Sequence, residues 1–397
     1  MSTQLSASTI ELVKATVPAL AAHGPQITEV MYRRLFQDDH IARLFNQANQ
    51  KSGAQRFALA SAVLAYAENI DNLAALTTTV ERIAQKHVGY AILPEHYPYV
   101  ADALLGAIKE VLGDAATPEI LAAWGEAYWF LAEILKAREV EIRQDISAQP
   151  GGWTDWRRFT ITERRAESDT IMSFTLRPED GSRVIAHLPG QYLTLRFDTA
   201  GLPGVIRNYS ISCGPNTDHY RITVKREPQG EVSPFLHDKA LTGTVLECTP
   251  PAGDFHLPIA PERPVVLLSG GVGLTPMVSM LEEIVTSHPN LPVYYVHGTT
   301  SRDTHALDIQ IRHLARRHGK ATVATFYEQP DPAGNAREGF ITLDWLQENV
   351  PLADADIYLC GPKPFLRHFV LALTNAGVSP ARIHYEFFGP ADETLAA

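Results

Sequence analysis

The chain is poor in cysteine, has no long uninterrupted apolar run and carries no excess of positive charge. Its three cysteines, Cys213, Cys248 and Cys360, stand far apart in 397 residues. They form no C-x-x-C pair, no iron–sulfur spacing and no C-x-x-C-H haem attachment. Such sparse cysteine fits a reducing compartment. A net charge of −11 argues against nucleic acid or anionic membrane as general partners. Any anionic ligand must therefore be met by a local cluster. In "MSTQLSASTIELVKATV", Glu11 and Lys14 fall where a signal peptide needs unbroken apolar sequence. The apolar stretch "ILAAWGEAYWFLAEIL" is interrupted by Glu126 and Glu133, so no membrane span is expected. A cytoplasmic protein is expected. No repeat appears, and no segment before about residue 150 alternates as a strand does.

What is present is 45% hydrophobic and 20% charged residues, enough apolar sequence for several packed cores. Residues 1–147 read as an all-α domain. "SASTIELVKATVPALAAHG" suggests one helix with Ser8 as N-cap and Gly24 as its end, and "PQITEVMYRRLF" a second that starts at Pro25. Further helices are expected over about 53–70, 77–88, 95–112 and 117–145. Residues 152–259 hold short β-rich runs, "RRFTITERR", "TIMSFTLRP", "QYLTLRF", "YRITVKRE" and "TVLECTPP", which predict an antiparallel β-barrel. Residues 264–397 alternate apolar runs ("PVVLLSG", "PVYYVHG", "KATVATFYE", "DADIYLCG") with helical stretches, the pattern of an α/β parallel sheet.

Each domain carries residues with chemical promise. In "VERIAQKHVGY", Val80, Ile83, Ala84 and His87 lie at i, i+3, i+4 and i+7, so His87 shares the apolar face of its helix. A histidine there is either hydrogen-bonded to a backbone carbonyl or a ligand to metal or haem. In the β domain, Arg207 of "RNYSI" can fork a pyrophosphate, and Tyr209 shares its strand face. The motif is expected where a strand begins. Nearby, Gly230 precedes Ser233-Pro234, read as an N-cap and first-turn proline whose helix start would meet a phosphate, with Lys225 and Arg226 adding positive charge. "PVVLLSGGVGLTPMVSML" is strand, glycine turn and helix, a dinucleotide-binding context in which Pro276 replaces the third glycine. Ser301 and Arg302 follow the next strand, compatible with a ribose 2′-phosphate or with simple helix capping.

Taken together, "RNYSI", "GEVS", "GGVGLTP", "CGP" and "HYEFFGP" resemble the ferredoxin–NADP reductase family over about residues 152–397. That resemblance implies FAD on the barrel and NAD(P)H on the α/β domain. By position, Gln191, Tyr192, Arg207, Asn208, Tyr209, Ser210, Lys225, Gly230, Val232 and Ser233 would hold FAD. Phe387 and Phe388, followed by Gly389 and Pro390, would lie at the isoalloxazine, with Phe387 where some relatives carry cysteine. Gly271, Val272, Gly273, Leu274, Thr275, Pro276 and Cys360 would serve the nicotinamide nucleotide.

A flavin needs an acceptor for its electrons, and the helical domain is the candidate. Tyr32, Phe45, Gln55 and Leu59 supply a plausible wall opposite His87, with Gln55 and Leu59 on one helix face. As a set these resemble a bacterial globin, and globin plus reductase resembles the flavohaemoproteins (flavohaemoglobins), a bacterial nitric oxide dioxygenase family. The resemblance implies haem b with His87 as its iron ligand, preceded by Lys86, and Tyr97 and Glu139 on the same side. Tyr32 and Gln55 would face bound O2, with Phe45 and Leu59 shaping the pocket. It implies an oxidoreductase in which NAD(P)H reduces FAD, FAD reduces haem, and O2 bound to ferrous haem converts NO to nitrate. Two other classes stay open: a flavin reductase with a different acceptor, and an O2 or NO sensor. The implied partners are O2, NO and NADH or NADPH, with a lipid as candidate occupant of the haem pocket, no nucleic acid, and a monomeric chain.

Overall fold

The computed structural model describes residues 4–38, 41–42, 54–199, 201–331, 334 and 336–388, with the side chains of 54–58 outside the described set. Two compact units divide near Ala148 and Gln149.

The first unit is helical: α1 (Ala7–Ala15), α2 (Val17–Leu35), α3 (Ala54–Glu68), α4 (Thr77–Gly89), α5 (Tyr97–Leu112) and α6 (Pro118–Ala148). Its start differs from the sequence expectation. Ser6, not Ser8, caps α1, its hydroxyl accepting from the Thr9 N–H at 3.0 Å. The chain breaks at Thr16, because Pro18 seeds a new helix, and that helix then runs through Pro25. Trp124 seals the break: its Nε1 donates to Thr16 Oγ1 at 3.2 Å, and that hydroxyl donates to Val13 O at 2.6 Å. The core has two clusters. Tyr32 and half-buried Leu59 belong to one with α1, α2, α5 and Trp124; Ala84, Val88, Tyr97, Leu135 and Ile142 form the other.

The second unit holds two sheets. The first comprises β1 (Arg157–Ala166), β2 (Ile171–Pro178), β3 (Tyr192–Thr199), β4 (Leu202–Ser210), β5 (Tyr220–Lys225) and β6 (Val245–Cys248), in the order β4-β3-β6-β1-β2-β5. Pairing is antiparallel at β1–β2, β1–β6, β2–β5 and β3–β6. The helix α7 (Val232–Asp238) lies between β5 and β6 in sequence. The "RNYSI" motif closes β4 rather than opening a strand. The preceding "LPGVI", with its proline and glycine, hides a strand that alternation alone does not reveal.

The second sheet is parallel: β7 (Val265–Gly270), β8 (Val293–Thr299), β9 (Ala321–Tyr327), β10 (Arg337–Glu338), β11 (Asp356–Cys360) and β12 (Ile383–Glu386), ordered β10-β9-β8-β7-β11-β12. Val265 and Leu267 face one core with α8 (Leu274–Ser287) and α9 (Asp308–His318). Val266 and Leu268 face another with α10 (Leu343–Asn349) and α11 (Lys363–Asn375). Chain order reverses beside β7, between β8 and β11, and such switch points are where doubly wound sheets receive ligands.

Three buried imidazoles make this unit sensitive to acid. His187, His297 and His305 are buried; His297 stacks on His305 with ring centroids 4.7 Å apart. His297 Nδ1 meets Ser269 Oγ at 2.9 Å and His305 Nδ1 meets Tyr327 OH at 2.9 Å. Burial holds His187 and His305 down to about 4 and His297 well below its ordinary range. The unfolded chain therefore binds more protons than the folded one between the ordinary histidine range and these values. Stability should be full above about pH 6.5 and fall by about 1.4 kcal/mol per pH unit per group as pH drops toward 4. Melting temperature followed from pH 7 to about 4 checks this; a flat profile would show that these rings protonate in the folded state.

Candidate functional site: a histidine–carboxylate network and a dinucleotide cradle

His87 sits on the inward stripe of α4, next to Ala84 and Val88 of the second helical cluster. Its partner is a carboxylate rather than a backbone carbonyl. His87 Nδ1 lies 2.7 Å from Oε1 of Glu139, a fully buried residue of α6. Tyr97 OH donates to the same oxygen at 2.6 Å and lies 3.1 Å from His87 Nδ1. Arg143 Nη1 stands 3.7 Å from the other carboxylate oxygen, and Tyr128 OH fixes Tyr97 by donating to its carbonyl at 2.8 Å. Burial, followed by the negative charge of Glu139, pushes the Tyr97 phenol far above its ordinary range, so it stays protonated as a donor.

An ionised carboxylate can only accept, so Nδ1 of His87 carries the proton and Nε2 holds the lone pair. Nε2 has no hydrogen bond among the described residues, and 31% of the side chain is exposed. A metal-binding imidazole commonly has this arrangement: one nitrogen anchored to an acceptor, here a carboxylate, the other open to coordinate. The donor set fits haem iron. Tyr32 and Leu59 lie in the other core cluster, Tyr32 stacked on Phe36 with centroids 5.5 Å apart. Lys86 is half-buried on α4 beside the histidine. Gln55 lies in α3, but its side chain, like Phe45, falls outside the described residues.

In the second unit, Arg207 and Tyr209 occupy alternate, half-buried positions at the end of β4, with Asn208 exposed between them and Ser210 buried. Arg207 Nη2 is 4.0 Å from Glu231 Oε2, directly before α7. That helix starts at Val232, and Ser233 is not its N-cap. The Ser233 hydroxyl instead accepts the Glu227 N–H at 3.0 Å and closes the turn at Gly230. The α7 N-terminus thus has no side-chain cap of its own. Lys225 and Arg226 are each paired with a local carboxylate, Glu227 at 3.1 Å and Asp238 at 2.5 Å. Gln191 likewise serves a turn, its Oε1 accepting from Leu188 N at 2.9 Å. Tyr192 begins β3 and faces Gly253, where a Cβ would stand 3.0 Å from the ring.

The glycine turn lies at the switch point. Gly271 takes φ +56° with open space where a Cβ would project, and Gly273 precedes α8, whose start has no side-chain cap. Val272 is half-buried, Leu274, Thr275 and Pro276 are buried, and Thr275 Oγ1 donates back to Val272 O at 3.1 Å. A Cβ on Gly273 would lie 2.2 Å from Cys360 O, so the turn and the "CGP" end of β11 touch through their backbones. A helix start without a side-chain cap, an open face at Gly271 and a backbone without side chains fit a pyrophosphate. Phe387 is half-buried against the second α/β core and Phe388 is exposed; Gly389 and Pro390 lie outside the described residues.

Arg302 turns away from a simple phosphate role. It meets Asp331 through Nη2 at 2.9 and 3.2 Å and Nε at 3.2 Å, and that carboxylate is only 2% exposed. Ser301 caps the turn Arg302–Thr304, the bland alternative in its sequence reading. Asp331, 29 residues away, had no signal in the sequence. Asp331→Asn removes the charge that engages Arg302 while keeping an acceptor for the Ala336 N–H at 3.1 Å. The NADPH-to-NADH ratio of kcat/KM should rise about tenfold or more, the worth of a freed charge-assisted bond. An unchanged ratio would remove Arg302 from the ribose site.

Comparison with known proteins agrees across the whole chain. Residues 28–135 match the globin family, 158–257 the oxidoreductase FAD-binding domain and 267–370 the oxidoreductase NAD-binding domain. A flavohemoprotein of Xylella fastidiosa (strain 9a5c) is 63% identical over 397 residues, all of both chains. One from Rhodopirellula baltica is 42% identical, covering 99% of this chain and all of that one. Among solved structures, the flavohemoglobin of Malassezia yamatoensis with bound FAD and heme superposes with a TM-score of 0.87 at 28% identity, over 97% of this chain and 100% of that one. The Flavohem-like FAD/NAD binding domain of nitric oxide dioxygenase from Vibrio cholerae gives 0.55 at 37% identity, over 59% of this chain and 99% of that one. Globin first, antiparallel FAD-binding domain second and parallel NAD-binding domain third, this chain belongs to the flavohaemoprotein family, oxidoreductases that carry electrons from NAD(P)H through FAD to haem.

Proposed function

We propose that the protein is a nitric oxide dioxygenase, acting as a cytoplasmic monomer with domains at 1–147, 152–259 and 264–397. The observation that carries this is the buried Glu139 carboxylate on His87 Nδ1, in a chain that also holds a whole reductase. When bound, haem and FAD supply the one-electron and O2 chemistry that turns NO, O2 and an electron from NAD(P)H into nitrate. His87 would hold the iron through Nε2. Glu139 accepts the Nδ1 proton and gives the ring partial imidazolate character, which makes Nε2 a stronger donor and favours O2 activation over storage. Tyr97 holds Glu139 at one geometry, and Arg143 offsets its buried charge. Tyr32 would serve as a neutral hydrogen-bond donor in the haem pocket. Arg207, Tyr209 and the α7 start would hold FAD, while Gly271, Gly273 and the α8 start would hold the pyrophosphate of NAD(P)H. The Vibrio cholerae domain named for nitric oxide dioxygenase supports the same assignment.

The test compares NADH oxidation in air with and without NO. Acceleration by NO, with nitrate as product, is expected. A rate indifferent to NO would favour a reductase with another acceptor.

Glu139→Gln separates the carboxylate's charge from its shape. The haem potential should rise, the iron–histidine stretch weaken and NO turnover fall about tenfold to a hundredfold. Flavin reduction by NAD(P)H should not change. Potentiometry and resonance Raman spectroscopy check this; unaltered values would leave Glu139 a purely structural role.

A further inference from the structure

The helix that carries the glycine turn is also fastened to the FAD-binding sheet. Ser279 and Glu282 lie one turn apart on the same face of α8. Ser279, fully buried, donates to Cys213 O at 2.7 Å, and His187 Nε2 approaches that carbonyl at 3.0 Å and Ser279 Oγ at 3.1 Å. Glu282 Oε2 accepts the Gly214 N–H at 2.6 Å, while its Oε1 lies 3.3 Å from Arg221 Nη2 of β5. Gln310 of α9 completes the group, accepting from Arg221 at 3.1 Å and donating to Glu282. A Cβ on Gly214 would stand 3.0 Å from that of Glu282 and 3.2 Å from its Oε2, so the loop lies close against this side chain. The sheet strand β5 packs on the Gly271–Gly273 turn itself. One helix therefore holds the dinucleotide turn at its start and the FAD-binding sheet on its flank.

We propose that Ser279 and Glu282 are positioning residues that set the approach of the nicotinamide to the flavin. The proposal rests on NAD(P)H reducing FAD in this chain. Neither side chain touches a reacting atom. They act by holding α8, and with it the turn and Thr275, at a fixed place against the sheet that bears FAD. Hydride transfer is steep in distance, so a shift near 1 Å matters far more to rate than to affinity.

The test uses the full-length holoprotein, anaerobically mixed with NADH, with flavin bleaching followed by stopped flow. In Glu282→Ala the limiting reduction rate should fall about tenfold to a hundredfold, while NADH affinity shifts less than about threefold and FAD content holds. Tetrahydro-NADH, which donates no hydride, gives an equilibrium readout. At saturation its long-wavelength flavin absorbance should be weaker in the variant than in the wild type. Glu282→Gln, which still accepts from Gly214, should fall between. Ser279→Ala, a change of one oxygen, supplies the same comparison if Glu282→Ala does not fold. Wild-type rates and absorbance in these variants would overturn the proposal. So would lost FAD with an unchanged rate per bound flavin, which would make the network only a stabiliser. A wild-type flavin that NADH does not bleach would instead defeat the reductase assignment, and the proposal with it.

Discussion

His87→Ala should strip the protein of most of its haem while leaving FAD in place and NADH oxidation by artificial acceptors intact. The reasoning starts from the free Nε2. Its ring is fixed by Glu139 Oε1 at 2.7 Å and by Tyr97, so the coordinating lone pair has one direction. Alanine removes the ligand and also leaves a fully buried carboxylate short of a donor. Losing one hydrogen bond to a charged group costs about 1.5–3 kcal/mol, with Tyr97 and Arg143 still facing the carboxylate, so some loss of helical stability should accompany the loss of haem. The FAD-binding domain, residues 158–257, follows the helical unit in the chain and has its own family match. The haem band measured against the flavin band after purification reads both at once. A variant with wild-type haem content and ligand kinetics would mean that the iron ligand lies elsewhere.

Gly273→Ala should severely damage the glycine turn of the reductase. Its Cβ would lie 2.2, 2.5 and 2.7 Å from Cys360 O, Cys360 C and Gly361 N. All three are backbone atoms, so no rotamer change relieves the clash. Either β11 or the glycine turn must move, and both lie in the NAD-binding domain. Overpacking of this kind costs about 1–3 kcal/mol, occasionally more. NADH affinity and flavin reduction should fall with it, while FAD content is kept. Gly271→Ala is the control, because its Cβ meets open space and only the φ of +56° opposes it. That strain costs about 1 kcal/mol. Melting temperature and NADH titration distinguish the two; equal effects would show that the contact with Cys360 is loose.

Periodicity carried much of this structure, and long-range pairing carried the rest. The apolar stripe of α4 is enough to place His87 inward, and the apolar runs of β7, β8, β9 and β11 appear where alternation with helices suggests. Glu139 could equally have been a surface residue paired with Arg138 or Arg143. In the fold Arg138 goes to Glu81 and Glu141 instead. Arg143 does stand 3.7 Å from Glu139, but Glu139 is fully buried and its hydrogen-bond partners His87 and Tyr97 are 52 and 42 residues away. Local capping rules misled where a proline had more than one use. Pro18 starts a helix, Pro25 rides inside the same helix, and Pro234 follows a serine whose hydroxyl is spent on a turn. The Arg302–Asp331 pair and the Glu282–Gly214 contact join residues 29 and 68 apart, with no pattern to announce either. Local spacing reports which face a residue occupies; it cannot report what another element brings to that face.

The measurement that bears most directly on the proposed activity is the ratio of nitrate formed to NAD(P)H consumed, in air, with limiting NO. Each NO joined with O2 to make nitrate takes up one electron, and each NAD(P)H delivers two. Two nitrates per NAD(P)H are expected, with no nitrite and with NO wholly recovered as nitrate. NAD(P)H consumed at an undiminished rate with no nitrate formed would contradict dioxygenation and leave the chain a reductase for some other acceptor.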